Sequence, residues 1–467
     1  MVLISAHETP PPPRGGLLPN LVLKAAGWSL MGYVGNYGLR LISSVIMTRL
    51  LVPEMFGVMA IAATVQVVSF MLCDVGLRQA IVRSPRGDQQ VFLDTAWTLQ
   101  ILRGFVIWIV CSSCAVLIAR GAALGWFAPE SAYADPQLPS VIVALALSSI
   151  ILGFQSTKAM SSDRHFNQRQ LAIVELVAQS VGVAVSIALG YATLSIWSFV
   201  VGSLVSCLMT VVMSQWYLEG PTNRLRMERS SLLELSRFGR WILVSSAMTV
   251  LAANGDRLML ANWIDTTTFG VYVIALTFVL MIEGAGARLF GAVGTAAFSK
   301  IERERPESLR ASYYRMRLPI DVVFIGSAGF LFGAADAIVA VLYDDRYVGA
   351  GPILQVLSVS LLLSRFGLVN SVYIAIGKPE YLGILNATKT ASLFIMVPLA
   401  NGLFGFGGAL WAIALHALAT LPVIFVLNHR HHLNVLWFEV AVLFIWPVGY
   451  LAGLAISAIA TNFPVLS

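Results

Sequence analysis

Charge is what this chain of 467 residues has least of: Asp, Glu, Lys and Arg together make up 12% of it, against about 25% in an ordinary soluble domain. So few ions cannot solvate a globular surface. With 58% hydrophobic residues and a mean hydropathy of +0.80, the soluble globular class is excluded. Cysteine is sparse too. Cys73, Cys111, Cys114 and Cys207 lie in or beside apolar runs, so no disulfide framework is expected. Cys111 and Cys114 have redox spacing, but inside an apolar run that spacing reads as small-residue helix packing. Residues 1–20 carry a Pro10 to Pro13 run and no basic stretch before an apolar core, which fits a short cytoplasmic tail and not a cleavable signal peptide. No Gly-x-x-x-x-Gly-Lys loop occurs, so a nucleotide is not the expected energy source.

Apolar sequence is abundant, in runs long enough to cross about 30 Å of hydrocarbon. Six runs come first, at 21–46, 56–76, 93–119, 138–154, 171–189 and 196–212. After the polar segment 219–240 come 241–263, 269–290, 318–342, 353–376, 382–399, 404–427 and 435–459. The chain reads as an all-α polytopic membrane protein with thirteen spans, the last of which could instead be a hairpin broken at Pro447. Short loops rich in Lys and Arg stay in the cytoplasm. With the N-terminus inside, 21 of the 30 basic residues fall on the cytoplasmic side, Arg317 among them, and 3 fall outside, namely Arg49, Arg120 and Arg346. The net charge of +6 then follows from topology, and nucleic acid is not an expected partner. No loop is long enough for a folded catalytic domain, so the activity is placed within the membrane and the chain is not read as an enzyme. His429, His431 and His432 read as solvated residues of a basic turn and His416 as a hydrogen bonder in helix packing. Gly402, Gly405, Gly407 and Gly408 read as a tight extracellular hairpin with close helix contact. No metal or cofactor is expected.

The stretch Asn254 to Ala275 sets an Asp-Arg pair in an apolar run, then a polar turn, then a second apolar run. A fainter copy lies 213 positions earlier, where Phe56, Gly57, Val58, Ile61 and Ala62 fall on Phe269, Gly270, Val271, Ile274 and Ala275. The same offset carries Lys24 to Arg237, Trp28 to Trp241 and Leu30 to Leu243. Two homologous halves are expected: a cytoplasmic tail at 1–20, a six-helix lobe at 21–218, a hairpin-like cytoplasmic loop at 219–240, a second six-helix lobe at 241–428 and an additional span at 435–461.

Several motifs in order carry a resemblance over roughly Leu21 to Leu427. They are Thr48-Arg-Leu-Leu-Val-Pro-Glu-Met-Phe-Gly57, Asp74-Val-Gly-Leu-Arg78, Gly255-Asp-Arg-Leu258, Phe269-Gly-Val-Tyr272, Ala297-Phe-Ser-Lys300 and Leu342-Tyr-Asp-Asp-Arg-Tyr347. The chain resembles lipid-linked oligosaccharide or polysaccharide flippases of the multidrug/oligosaccharidyl-lipid/polysaccharide exporter superfamily. That resemblance implies two six-helix lobes around a central cavity open to one side at a time, with one or two extra C-terminal spans. The implied substrate is an oligosaccharide on an isoprenoid diphosphate carrier, moved from the cytoplasmic to the periplasmic leaflet of the bacterial inner membrane. Glycosyltransferases and a polymerase of the same pathway are the implied protein partners. A drug or metabolite antiporter of the same superfamily is the alternative, and a membrane glycan polymerase or ligase a more distant one.

A diphosphate head group faces a large barrier in hydrocarbon, which a wet, cationic cavity lowers. Ionisable residues inside spans are functional candidates, since burying one costs at least ~2.5 kcal/mol. The expected substrate-binding cations are Arg40, Arg103, Arg257, Arg288, Arg365 and Lys389, and the expected ion-coupling carboxylates Asp256 and Glu283. Each has a structural alternative: Arg40 and Arg288 could snorkel to the interface, Asp256 could only neutralise Arg257, and Arg365 could pair with a carboxylate across a helix interface.

Overall fold

The computed structural model describes residues 17–74, 76–165, 167–290 and 294–462. The described residues are helical apart from turns, extended connections and one isolated antiparallel bridge between Ser131 and Asp265. The first half holds α1 (Leu17–Leu50), α2 (Pro53–Leu72), α3 (Leu77–Arg83), α4 (Gln90–Ala123), α5 (Leu138–Gly153), α6 (Lys158–Arg164), α7 (Gln168–Thr193) and α8 (Trp197–Trp216). The second opens with α9 (Arg229–Trp263), α10 (Thr266–Leu289), α11 (Thr295–Glu304) and α12 (Leu309–Leu342). It continues through α13 (Ala350–Ser358), α14 (Leu361–Ser364), α15 (Val369–Ala375), α16 (Glu380–Leu415) and α17 (Thr420–Arg430), and ends with α18 (Leu436–Ala441) and α19 (Ile445–Asn462).

Nine stretches among the described residues are long and apolar enough to cross a membrane, and α5 with α6, bent by 68°, makes a tenth. Glu380–Arg430 is one of those nine, yet it turns at Gly405 (φ 64°, ψ −155°), a conformation open to glycine, and folds back on itself. Ser392 Oγ donates to the His416 carbonyl 24 residues further on at 2.8 Å, so this stretch supplies two spans, as the glycine cluster predicts. With α1 and α9, 34 and 35 residues long, the expected thirteen span-length segments are present.

Three expectations need correction. The last segment is no hairpin: Pro447 sits in the first turn of α19, where a missing N–H interrupts no helical bond, and a 3-10 turn joins α18 to α19. α19 packs along α12 through small residues. A Cβ on Gly453 would lie 2.5 Å from the Phe330 carbonyl oxygen, and one on Gly333 would lie 2.6 Å from that of Tyr450, so both positions hold the backbones in contact. The polar segment is not a hairpin up to residue 240, because α9 begins at Arg229 and only 219–228 is non-helical. That strap runs along α4, with the Arg224 amide donating to Asp94 Oδ1 (3.0 Å) and the Glu228 amide to Thr95 Oγ1 (3.1 Å). Arg317 is not a loop cation. It lies inside α12 with its side chain 0% exposed.

The repeat is visible in three dimensions. Pro53 opens α2, and Asp265 caps α10 by accepting from the Thr268 amide at 2.8 Å. The two copies then meet at equivalent positions. Thr267 Oγ1 donates to Glu54 Oε1 at 2.5 Å across an offset of 213 residues. A Cβ on Gly57 would lie 3.3 Å from the Gly270 amide nitrogen, and one on Gly270 would lie 3.2 Å from that of Gly57. A residue that touches its own copy lies on the axis relating the copies, so a pseudo-twofold passes between Gly57 and Gly270. The main core is continuous across the halves, from Val58 and Ile107 to Phe269 and Tyr347. A smaller cluster seats Leu235 of α9 among Leu77, Ile81 and Phe92 of the first half.

Candidate functional site

Along α1, Ser29, Tyr33, Tyr37, Arg40 and Ser44 recur every three or four residues and therefore share one face. α10, from the other half, packs against this helix. The Tyr33 and Tyr37 rings are 4.5 Å apart, and Tyr33 Oη donates to the Leu280 and Met281 carbonyls (3.3 and 3.4 Å). Arg288 of α10 lies over the Tyr33 ring at 5.1 Å and donates to Ser29 Oγ at 3.2 Å, while Arg40 lies over Tyr37 at 5.7 Å. Arg288, Tyr33, Tyr37 and Arg40 thus form a row along the seam between halves. Neither arginine has a carboxylate within 4.0 Å among the described residues, and both are exposed. Cavities flank the row. One of about 390 Å³ between α1, α2, α7 and α8 reaches Arg40, Ser43 and Gln179, and an apolar one of about 430 Å³ between α1, α10 and α12 is bordered by Tyr33, Met281 and Phe324.

The other candidate residues separate into two groups. Arg103 pairs with Asp74 (3.1 Å), donates to the Phe70 carbonyl (3.0 Å) and covers the Phe70 ring at 4.1 Å, so its charge is satisfied inside the first half. Arg365 reaches Asp321 (3.4 Å) and Glu439 (3.2 Å), and Arg317 reaches the same two carboxylates, gripping Glu439 with both terminal nitrogens at 2.5 and 2.7 Å. The four groups form a neutral buried cluster joining α12, the 3-10 turn at Arg365–Leu368 and α18. The pairing alternative holds for Arg365.

Asp256 and Arg257 are not an ion pair. Adjacent helical residues project about 100° apart: Asp256 accepts a hydrogen bond from Tyr272 Oη of α10, while Arg257 donates to Asn254 Oδ1 at 2.9 Å and keeps a buried Nε with no partner among the described residues. Glu283 accepts from Ser364 Oγ and borders a third cavity, of about 420 Å³, together with Lys389. Sequence reasoning missed Tyr33 and Tyr37, although the spacing Tyr-x-x-x-Tyr-x-x-Arg was there to be read. It also missed Tyr272 and Glu439, which only the fold brings to their partners. His416 Nδ1 lies 2.7 Å from the Ile413 carbonyl of its own turn, and its Nε2 is buried without a partner among the described residues. The four cysteines are free, and no group of metal-ligating residues occurs among the described residues.

At the α2–α10 end the seam is closed. Arg346 donates to the Thr48 and Arg49 carbonyls (3.1 and 3.3 Å), Tyr347 Oη to Leu51 (2.9 Å), and the Thr266 amide to Glu130 (3.1 Å). In the turn that presents Arg346, the guanidinium hydrogen bond holds the Asp344 carboxyl below its ordinary range.

Residues 46–350 match a family model described as polysaccharide biosynthesis protein. The chain is 22% identical over 345 residues to the succinoglycan biosynthesis transport protein ExoT of Rhizobium meliloti (strain 1021), covering 73% of this chain and 66% of that protein's length. It is 22% identical over 380 residues to the lipopolysaccharide biosynthesis protein WzxC of Escherichia coli (strain K12), covering 80% and 74%. The fold is similar to an inward-facing multidrug resistance transporter of the MATE family (TM-score 0.65, 15% identity, 94% of this chain and 99% of that one). It is also similar to the lipid II flippase MurJ in an inward closed conformation (TM-score 0.60, 13% identity, 96% and 98%). With that match and its apolar, span-length helices, this multi-pass membrane protein belongs to the polysaccharide biosynthesis family.

Proposed function

We propose that the chain is a flippase that moves an oligosaccharide linked to an isoprenoid diphosphate from the cytoplasmic to the periplasmic leaflet of the inner membrane, by alternating access between its two lobes. One observation supports this reading: Arg40 and Arg288 lie on an aromatic row at the seam of the halves with no carboxylate within 4.0 Å among the described residues. An arginine kept unpaired at membrane depth is costly, and its planar fork is suited to grip a phosphate with two hydrogen bonds. The apolar cavity beside Tyr33 offers the first units of the lipid tail a surface while the head group meets the arginines. Arg257, whose Nε lacks a partner among the described residues, and Lys389 extend the cationic path into the second lobe. Asp256 and Glu283 are the carboxylates for coupling to protons, sodium or the membrane potential. The N-terminus and the basic loops lie in the cytoplasm, and the glycosyltransferases and polymerase of the pathway supply and consume the substrate.

Proteoliposomes loaded with an isoprenoid-diphosphate-linked oligosaccharide test the reading, with translocation followed by exposure of the glycan to an impermeant oxidant. Wild-type protein is expected to expose the inner-leaflet pool, and Arg288→Ala to lose most of that activity at normal abundance. Equal exposure with and without protein would refute the assignment.

A further inference from the structure

The strap 219–228 joins the two lobes, and its backbone is satisfied from one side. The amides of Arg224, Arg226 and Glu228 donate to Asp94, Thr98 and Thr95 of α4 at 3.0, 3.2 and 3.1 Å, and Gln90 Nε2 donates to the Thr222 carbonyl at 2.9 Å. Asn223 pins the strap to the α5–α6 turn, accepting from Ser156 Oγ at 2.9 Å and from the Thr157 amide at 3.0 Å. The side chains that follow stay uncovered. Leu225 is 72% exposed and Met227 49%. Arg224, Arg226 and Arg229 are exposed beside them, with no carboxylate within 4.0 Å among the described residues. The helix beneath sets the depth. Thr98, Leu102, Phe105 and Ile109 recur at steps of three or four and share one face of α4. The last three are exposed, so the strap lies at the foot of a stripe that faces hydrocarbon. Trp216 and Tyr217, both exposed at the end of α8, immediately precede it, as aromatic residues do at a membrane–water interface.

We propose that the strap is an interfacial anchor for anionic phospholipid headgroups, with Arg224, Arg226 and Arg229 on the phosphates and Leu225 and Met227 in the acyl boundary. Charge selects the occupant. A guanidinium fork grips a phosphate with two hydrogen bonds, and Glu228 of the strap does not compete for these arginines because Arg86 already holds it at 2.8 Å. Cations alternating with aliphatic side chains suit a boundary between headgroup and hydrocarbon, where both kinds find a partner within one residue of each other. The anchor holds the covalent joint between the lobes at a set depth. On the topology proposed above, the leaflet is the cytoplasmic one, whose anionic lipids attract basic segments beside a span.

The test uses purified full-length protein with the four native cysteines replaced by alanine and an environment-sensitive fluorophore on Leu225→Cys. It is placed in nanodiscs of phosphatidylcholine alone or mixed with phosphatidylglycerol, with lipids brominated along the acyl chain as contact quenchers. Phosphatidylglycerol is expected to raise quenching several-fold and to shift the emission to the blue, and added salt to shrink the difference. Arg224→Gln, Arg226→Gln and Arg229→Gln together should abolish the dependence on lipid charge while the elution profile stays monodisperse. Equal quenching in both lipid mixtures, a dependence that survives the triple change, or no quenching in either, as for a strap that binds a protein, would overturn the anchor. So would loss of the phosphatidylglycerol effect in millimolar inorganic phosphate at constant ionic strength, which assigns the arginines to a soluble anion. Nanodiscs offer the same lipids on both faces, so an inverted topology, read from cysteine labelling at Ser230 in intact cells, leaves the anchor standing.

Discussion

Glu439→Gln is the sharpest probe of how the thirteenth span is attached. Glu439 stands in α18, outside the twelve spans of the two lobes, yet its carboxylate accepts from both terminal nitrogens of Arg317 (2.5 and 2.7 Å) and forms an ion pair with Arg365 at 3.2 Å. Asp321 completes the set, and the Arg317 and Asp321 side chains are 0% exposed. Two guanidinium and two carboxylate groups cancel. Glutamine keeps the volume and removes one charge, leaving two arginines against one aspartate where no water reaches Arg317. Breaking a buried pair by removing one partner costs about 3–5 kcal/mol, which for a chain of this length lowers Tm by something on the order of 5 °C. Arg365→Gln combined with Glu439→Gln restores neutrality, leaves Arg317 on Asp321 at 3.3 Å, and is expected to recover most of the loss. The assay is thermal unfolding of purified protein in nanodiscs followed by tryptophan fluorescence. An unchanged Tm for Glu439→Gln, or a double variant that loses the sum of the two single losses, would refute the charge-balance argument.

The remaining expectations are briefer. Arg40→Ala should abolish translocation at normal membrane abundance, whereas Arg103→Ala should lower abundance itself by stranding Asp74; immunoblots beside glycan export in a deletion strain distinguish them. Because Asp256 faces Tyr272 and Arg257 faces Asn254, the losses from Asp256→Asn and Arg257→Gln should add, and rescue of one by the other would reinstate them as a pair. Gly270→Val places methyl groups against the Pro53 and Gly57 backbone and should block export, while valine at Gly402, where a Cβ meets nothing within 4 Å, should be tolerated. Cysteine at Ser230, an exposed residue at the start of α9, should resist an impermeant maleimide in intact cells; rapid labelling would invert the topology.

Much of the fold is legible because hydropathy and glycine spacing act locally. A run of apolar residues becomes a span wherever it falls, and the offset of 213 residues is carried by Phe56, Gly57, Phe269 and Gly270, of which the two glycines sit on the symmetry axis itself and so must suit both copies at once. What sequence cannot supply is the partner of a charge. Arg317 looks like one more cation of a basic loop, because nothing within several residues reveals that α12 already begins at Leu309 or that Glu439 will lie against it 122 residues later. Asp256 beside Arg257 looks like a pair because adjacency in sequence is mistaken for adjacency in space, whereas the helix turns them to different neighbours.

That distinction also sorts function from scaffold among the intramembrane cations. Arg103, Arg317 and Arg365 each meet a carboxylate at 3.4 Å or less, and a group so satisfied has little electrostatic work left for a passing ligand. Arg40, Arg288 and Lys389 have no such partner among the described residues, and they border open space along the seam and in the second lobe. A fold that compensates its deepest charges so completely at Arg317, and not at these positions, tolerates the imbalance where an anion enters from outside the chain. On the flippase reading proposed above, the arginines of the α1 row are the groups placed to meet a carrier's diphosphate at the seam that the Gly57–Gly270 contact defines.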